Sequence, residues 1–170
     1  MSDRKSATAL SIETMKPEDL PEVLPIADDP QGIPWTKGIF EKELDTPFSH
    51  NLICRAVLQR GEKVVAGFIS FWVVAGEVHL HNVAVRGDLR RQGIGSRLME
   101  EMFRTAKTHG AARATLELRE SNRAAGGLYE RFGFLETGRR PGYYQDRAEA
   151  AVILWADLEK EAGAGNGQCR

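Results

Sequence analysis

Apolar and polar positions change their period along this 170-residue chain, and the changes mark out its elements. Leu10, Ile12 and Thr14 alternate with polar neighbours, the period of two that a strand with one buried face requires. Pro17-Glu18-Asp19 then sets a proline and two acids where a helix opens, and that helix runs toward Ala27 with Pro21 tolerated in its first turn. The 28–34 stretch is turn-rich, and after it Thr36 caps a short helix over 37–44. Strand patterns return over 51–58 and 64–74, joined through Arg60-Gly61-Glu62-Lys63, which predicts an antiparallel hairpin; a third covers 77–85. The period then lengthens. Ile94, Leu98 and Met102, with Met99, Phe103 and Ala106, fall at helical spacing over 95–109, and Gly110 ends that helix. Ala114, Leu116 and Leu118 alternate as a strand, Asn122 starts a helix to Phe132, Gly133 breaks it, and strands over 134–137 and 148–155 complete the pattern. Strands that come first as a meander and then alternate with helices predict a single mixed-sheet α/β domain over 10–160. A flexible N-terminus over 1–9 and a disordered Gly- and Ala-rich tail over 161–170 are expected to flank it.

Composition narrows the class without naming a function. With 42% hydrophobic and 28% charged residues, the chain can bury a core without disulfide or metal staples. A net charge of -1 speaks against a general nucleic-acid binder, which carries a basic excess on one face. Cys54 and Cys169 are too few and too far apart for a disulfide framework or a metal site, so a reducing cytoplasm is the expected compartment. His79 and His81 share a strand face, but two ligands do not make a metal site, and they read as substrate-facing or structural. No apolar run reaches membrane-spanning length, and the first nine residues are polar, so neither membrane insertion nor export is expected.

The candidate chemistry begins between the third strand and the long helix, at Arg90-Arg91-Gln92-Gly93-Ile94-Gly95-Ser96. Glycines let successive backbone N–H groups converge on an anion, and the helix adds the positive end of its macrodipole, so the segment reads as a phosphate cradle. A P-loop would need Lys-Ser/Thr after its last glycine, where this chain has Ser96-Arg97; a dinucleotide fingerprint would need a small residue where Leu98 stands. What remains, Arg90-x-x-Gly93-x-Gly95 after Val83-Ala84-Val85, resembles the loop with which Gcn5-related N-acetyltransferases hold the pyrophosphate of acetyl-coenzyme A. A second segment, Asn122-x-x-Ala125-x-x-Leu128-Tyr129-x-x-x-Gly133-Phe134, follows in the order and at the distance of that superfamily's other cofactor-contacting stretch. Leu116-Glu117-x-Arg119-x-Ser121-Asn122 ahead of it, Arg139-Arg140-x-x-Tyr143-Tyr144 after it, and Pro34-Trp35-Thr36 together most resemble the RimI-type N-acetyltransferases, over most of the chain from Leu10 to about 158.

The resemblance implies a central, mostly antiparallel, twisted sheet flanked by helices, acetyl-coenzyme A as cosubstrate, and no metal. It implies pyrophosphate on the N–H groups of Arg91, Gln92, Gly93, Ile94, Gly95 and Ser96, with Arg90 and Arg91 adding charge. Backbone groups of Val83, Ala84 and Val85 would meet the pantetheine arm and the oxyanion, and Asn122 would serve both that arm and its own helix. Glu117 matches the family's general base and Tyr129 its thiolate-protonating acid. Trp35, Tyr143 and Tyr144 are candidate walls for an entering peptide, with core packing equally open for Trp35. The implied activity is acetylation of a protein N-terminal amine, as RimI-type enzymes do on the alanine of a ribosomal protein, by direct attack without a covalent enzyme intermediate. Two alternatives stay open: a small-molecule amine acetyltransferase of the same superfamily, and a non-catalytic acetyl-coenzyme A-binding module. Gly126 and Gly127 stand inside the second helix at roughly 1 kcal/mol each relative to alanine, a cost that close backbone approach to the cofactor would explain.

Overall fold

The computed structural model of the chain describes residues 5–28 and 34–158. The predicted tail over 161–170, residues 1–4 and most of the turn-rich 28–34 stretch lie outside the described residues.

Among the described residues, seven strands form one sheet: β1 (Ala7–Thr14), β2 (Ser49–Leu58), β3 (Lys63–Val74), β4 (Glu77–Val85), β5 (Arg113–Arg119), β6 (Leu135–Tyr144) and β7 (Glu149–Asp157), in the order β1-β2-β3-β4-β5-β7-β6. Every pairing is antiparallel except β4 with β5. Among the described residues, four α-helices cover the sheet: α1 (Leu20–Ala27), α2 (Lys37–Asp45), α3 (Ile94–Thr108) and α4 (Arg123–Arg131). The alternation of each strand divides its side chains between two apolar layers. On one face, Leu98, Met99, Met102 and Ala106 of α3 and Tyr129 of α4 pack with Ile69, Phe71, Val78, Leu80 and Leu116. On the other, Val23 of α1 and Phe40 of α2 pack with Ile53, Val65 and Phe68. Ile94, Leu98, Met99 and Met102 are essentially fully buried, at roughly 1.5–3 kcal/mol per side chain, so α3 is firmly held and its N-terminus is fixed in place.

Three elements differ from the pattern read in the sequence. β1 begins at Ala7, within the 1–9 stretch expected to be flexible: Ala7 pairs with Leu58, and the Gln92 side chain accepts from the Ala7 N–H (3.0 Å) and donates to the Lys5 carbonyl (2.7 Å). The first helix is split, a 3-10 turn over Pro17–Asp19 preceding α1. β6 extends to Tyr144 rather than ending at 137. It is the sheet's edge and mostly exposed, so it carries no apolar alternation, and its Pro141 is tolerated because an edge strand leaves N–H groups unpaired.

One feature of the pairing positions the site. β4 and β5 are partnered only from Glu77 with Arg113 to Leu80 with Leu116. Beyond that point β4 continues to Val85 bonded to β3 alone, and β5 continues to Arg119 bonded to β7 alone. A β-bulge at the same level, between the Phe71–Leu80 and Ser70–Asn82 pairs, leaves His81 without a partner and turns the strand. The result is a wedge in mid-sheet whose left wall is the unpaired backbone edge of β4.

Candidate active site

The cradle loop lies at the mouth of this wedge, between β4 and α3. Leu89, fully buried, ends a 3-10 turn and anchors the loop; Arg91 then takes φ 65° and Gly93 φ 76°, ψ 8°. Two left-handed residues so close together turn successive N–H groups the same way. Among the described residues, none of the backbone N–H groups from Arg91 to Ser96 has a protein acceptor, the first helical bond of α3 being Arg97 N–H to the Gly93 carbonyl. Gly93 is the N-cap and supplies no side-chain oxygen, whereas Thr36 accepts from Ile39 N–H at α2 and Asn122 from Ala125 N–H at α4. A row of unsatisfied donors at the N-terminus of a 15-residue helix suits a bound anion and fits a pyrophosphate.

The two glycines of the loop have different work. A Cβ on Gly93 would meet nothing within 4 Å, so what calls for glycine here is the left-handed φ. A Cβ on Gly95 would lie 3.4 Å from Leu128 and 3.7 Å from Val85, ordinary contacts that mark where α4 and β4 close on the first turn of α3. The side chain of Gln92 is committed to the N-terminal segment, and the Arg90 Nε donates to the Val85 carbonyl at 3.3 Å, so Gln92 offers a ligand only its backbone. The side chains of Val83 and Val85 pack on the α3 layer and Ala84 on the opposite one, which leaves their backbone edge facing the wedge.

Tyr129 and Glu117 lie on opposite faces of the sheet. Tyr129 belongs to the α3 layer, its ring centroid 5.8 Å from that of Phe134, and its hydroxyl has no hydrogen-bond partner among the described residues. Burial pushes its pKa well above the ordinary tyrosine value. Glu117 alternates with Leu116 and Leu118, which pack on the α3 layer, so it projects to the other face. Its carboxylate is 31% exposed and paired with Arg140 of β6 at 3.2 Å.

Around Glu117 stands a group that the sequence marks only as part of a motif. Arg119, 7% exposed, forks onto Asp146 at 2.9 and 3.0 Å, lies 3.7 Å from Glu149, and stacks 4.1 Å over the ring of Tyr144. Tyr144 is therefore a buried floor, and Tyr143, 47% exposed, presents surface above it. Trp35 packs on Phe40 at 5.0 Å, and Phe40 on Phe68, so it is half-buried in the α1–α2 layer and is not brought against the two tyrosines by any contact. The pairing of Arg140 with Glu117 had no sequence signal, since it joins strands that are neighbours only through β7.

Of the other reactive side chains, Cys54 is fully buried in β2, which pushes its thiol up to about 11 and leaves it poorly suited as a nucleophile. His79 Nε2 lies 3.4 Å from Glu77. Among the described residues, no three His, Cys, Asp or Glu side chains cluster as metal ligands, and no helix is long and apolar enough to cross a membrane.

Comparison with known proteins fits this geometry. The sequence profile of the Acetyltransferase (GNAT) family matches residues 20–134. A Bacillus subtilis (strain 168) protein is 32% identical over 154 residues, 90% of this chain and 99% of its own length. The ribosomal protein bS18-alanine N-acetyltransferase of Escherichia coli (strain K12) is 34% identical over 146 residues, 85% of this chain and 95% of its own. The crystal structure of the ribosomal-protein-S18-alanine N-acetyltransferase from Escherichia coli superposes with a TM-score of 0.77 at 31% identity, covering 95% of this chain and all of that one.

Proposed function

Because this chain belongs to the acetyltransferase (GNAT) family, we propose that it transfers acetyl from acetyl-coenzyme A to the N-terminal α-amine of a protein beginning with alanine, a ribosomal protein of the bS18 kind being the partner its relatives suggest. The observation that carries this reading is the 34% identity that spans 95% of the Escherichia coli alanine N-acetyltransferase, since it covers the acceptor side of the fold as well as the cofactor side. Fold alone would leave the acceptor open.

In this reading the N–H groups of Arg91 to Ser96 hold the pyrophosphate, and the free edge of β4 at Val83, Ala84 and Val85 pairs with the pantetheine arm as an added strand would. A backbone N–H on that edge receives the developing oxyanion. Acetyl-coenzyme A supplies the activated carbonyl and a thiolate leaving group. Glu117 draws the proton from the amine on one face of the sheet, and Tyr129, kept protonated by burial, delivers its proton to the departing thiolate from the other. Asn122 turns its amide to the same arm while its oxygen caps α4. Direct attack suits a site whose described cysteine is buried and protonated.

The acidity of the nucleophile favours an α-amine. At pH 7 an α-amine of pKa about 8 costs roughly 1.4 kcal/mol to deprotonate, whereas a lysine near 10.4 costs about 4.6 kcal/mol, more than one surface carboxylate readily offsets. Thiol release from acetyl-coenzyme A, followed across peptides that differ only in their first residue and across small amines, tests the reading. Alanine and serine first residues are expected to give the highest kcat/KM, because Tyr143 and the Tyr144 floor confine the first side chain. Faster turnover of a polyamine or an aminoglycoside would refute it.

A further inference from the structure

We propose that His81 is a second proton acceptor for the attacking amine, working from β4 across the wedge from Glu117 on β5; the role rests on the amine-acetylating reading above. The pairing between β4 and β5 runs 77–113, 78–114, 79–115 and 80–116 and stops there. The next pair in register would be His81 with Glu117. The bulge that frees His81 from β3 therefore sets the two residues level with one another on the two walls of the opening.

The ring of His81 is held but not engaged. It meets Trp72 edge-on at 4.4 Å, and the indole is itself fixed by an Nε1–H bond to Glu43 at 2.7 Å, an oxygen that also accepts from the Ser49 hydroxyl at 2.7 Å. Trp72 alternates with Phe71 of the α3 layer, so this contact puts the imidazole on the face that Glu117 presents. Neither ring nitrogen is bonded to a described residue, and the side chain is exposed. Glu117, by contrast, shares its carboxylate with Arg140. Glu43 from α2 and His79 from β4 act on the His81 ring, and Glu77 lies 3.4 Å from His79; Glu117, paired with Arg140, stands at the next register position on β5. Desolvation lowers the His81 pKa from the ordinary histidine value, Glu43 opposes that and His79 adds to it, and the net direction favours the neutral ring, which can accept a proton.

Two protons leave the nitrogen in turn, and two acceptors can divide them. An ammonium that becomes a secondary amide loses two protons, one before its lone pair forms the N–C bond and one from the adduct as the C–S bond breaks. His81 takes the first and passes it to solvent. Glu117 takes the second, which replaces through solvent the proton that Tyr129 gives to the thiolate. No other reactant is needed.

The test is the pH dependence of kcat/KM for the amine in wild type, His81→Phe and His81→Gln. The phenylalanine keeps a ring against Trp72, and the glutamine keeps polarity without a titrating nitrogen. Both variants are expected to lose about 10-fold or more near pH 6.5, with the deficit closing toward pH 9 as the amine loses its own proton and with the acetyl-coenzyme A KM unchanged. A pH-independent loss, or none, in the variants that fold would overturn the role. If wild type acetylates small amines but not alanine-initiated peptides, the acceptor reading fails, and the same profiles on the better amine still decide His81.

Discussion

At the residue scale, environment separates groups that look alike on paper. Tyr129 and Tyr144 both sit in motifs, yet one is a buried phenol packed on Phe134, its hydroxyl unbonded among the described residues, and the other a floor under Arg119. Tyr129→Phe keeps the packing on Phe134 and removes the proton. It should cut kcat by roughly 10²-fold or more with the acetyl-coenzyme A KM little changed, and steady-state kinetics showing normal turnover would remove Tyr129 as the acid. The loop glycines separate in the same way. Gly93→Ala must hold a side chain at φ 76°, at a cost of about 1–2 kcal/mol, and points it into the open space of the cradle; weaker acetyl-coenzyme A binding by calorimetry is expected. Gly95→Ala meets Leu128 at an ordinary distance and should bind nearly as wild type. Both glycines stand out in the sequence at the start of α3, but their different surroundings do not, because these depend on where α4 and β4 pack.

At the scale of elements, legibility follows burial. α3 announces itself because five of its residues are buried at helical spacing, and the N-cap of α4 because Asn122 bonds to its own first turn. The far half of β6 was missed because pairing with β7, and not apolar alternation, makes it a strand. The start of β1 was missed for the same reason, being held by backbone pairing and by Gln92. α4 carries a testable oddity, since a Cβ at Gly126 or Gly127 would meet no protein atom within 4 Å. Alanine at either position should therefore raise stability in urea unfolding by about 0.5–1 kcal/mol through helix propensity alone. An accompanying rise in the acetyl-coenzyme A KM is expected if the cofactor's close approach is what keeps the glycines there, and unchanged stability would contradict the open surface described.

At the scale of the whole molecule, the wedge is the feature no local pattern could show, because it arises where a parallel pair ends within an otherwise antiparallel sheet. The same packing couples stability to pH. His50, stacked on Phe71 at 5.2 Å and against His109 at 4.8 Å, and His81 are both lowered below 6.5, chiefly by desolvation. Below that pH the unfolded chain binds protons that the folded chain refuses, so stability is full above about 6.5 and falls beneath it. Glu13 and Asp146, lowered by hydrogen bonds from Arg55 and Arg119, extend the fall into the carboxylate range. Thermal melts should be flat from about pH 8 to 7 and decline below 6.5, and His50→Phe should lessen that decline. The central claim is that the wedge delivers a protein's first amine to acetyl-coenzyme A. Its most direct test is to incubate the enzyme with a peptide that begins with alanine and carries an internal lysine, and to locate the acetyl group by tandem mass spectrometry: it is expected on the N-terminal nitrogen alone, whereas acetyl on the lysine, or an unmodified peptide under conditions where a small amine is acetylated, would contradict the account.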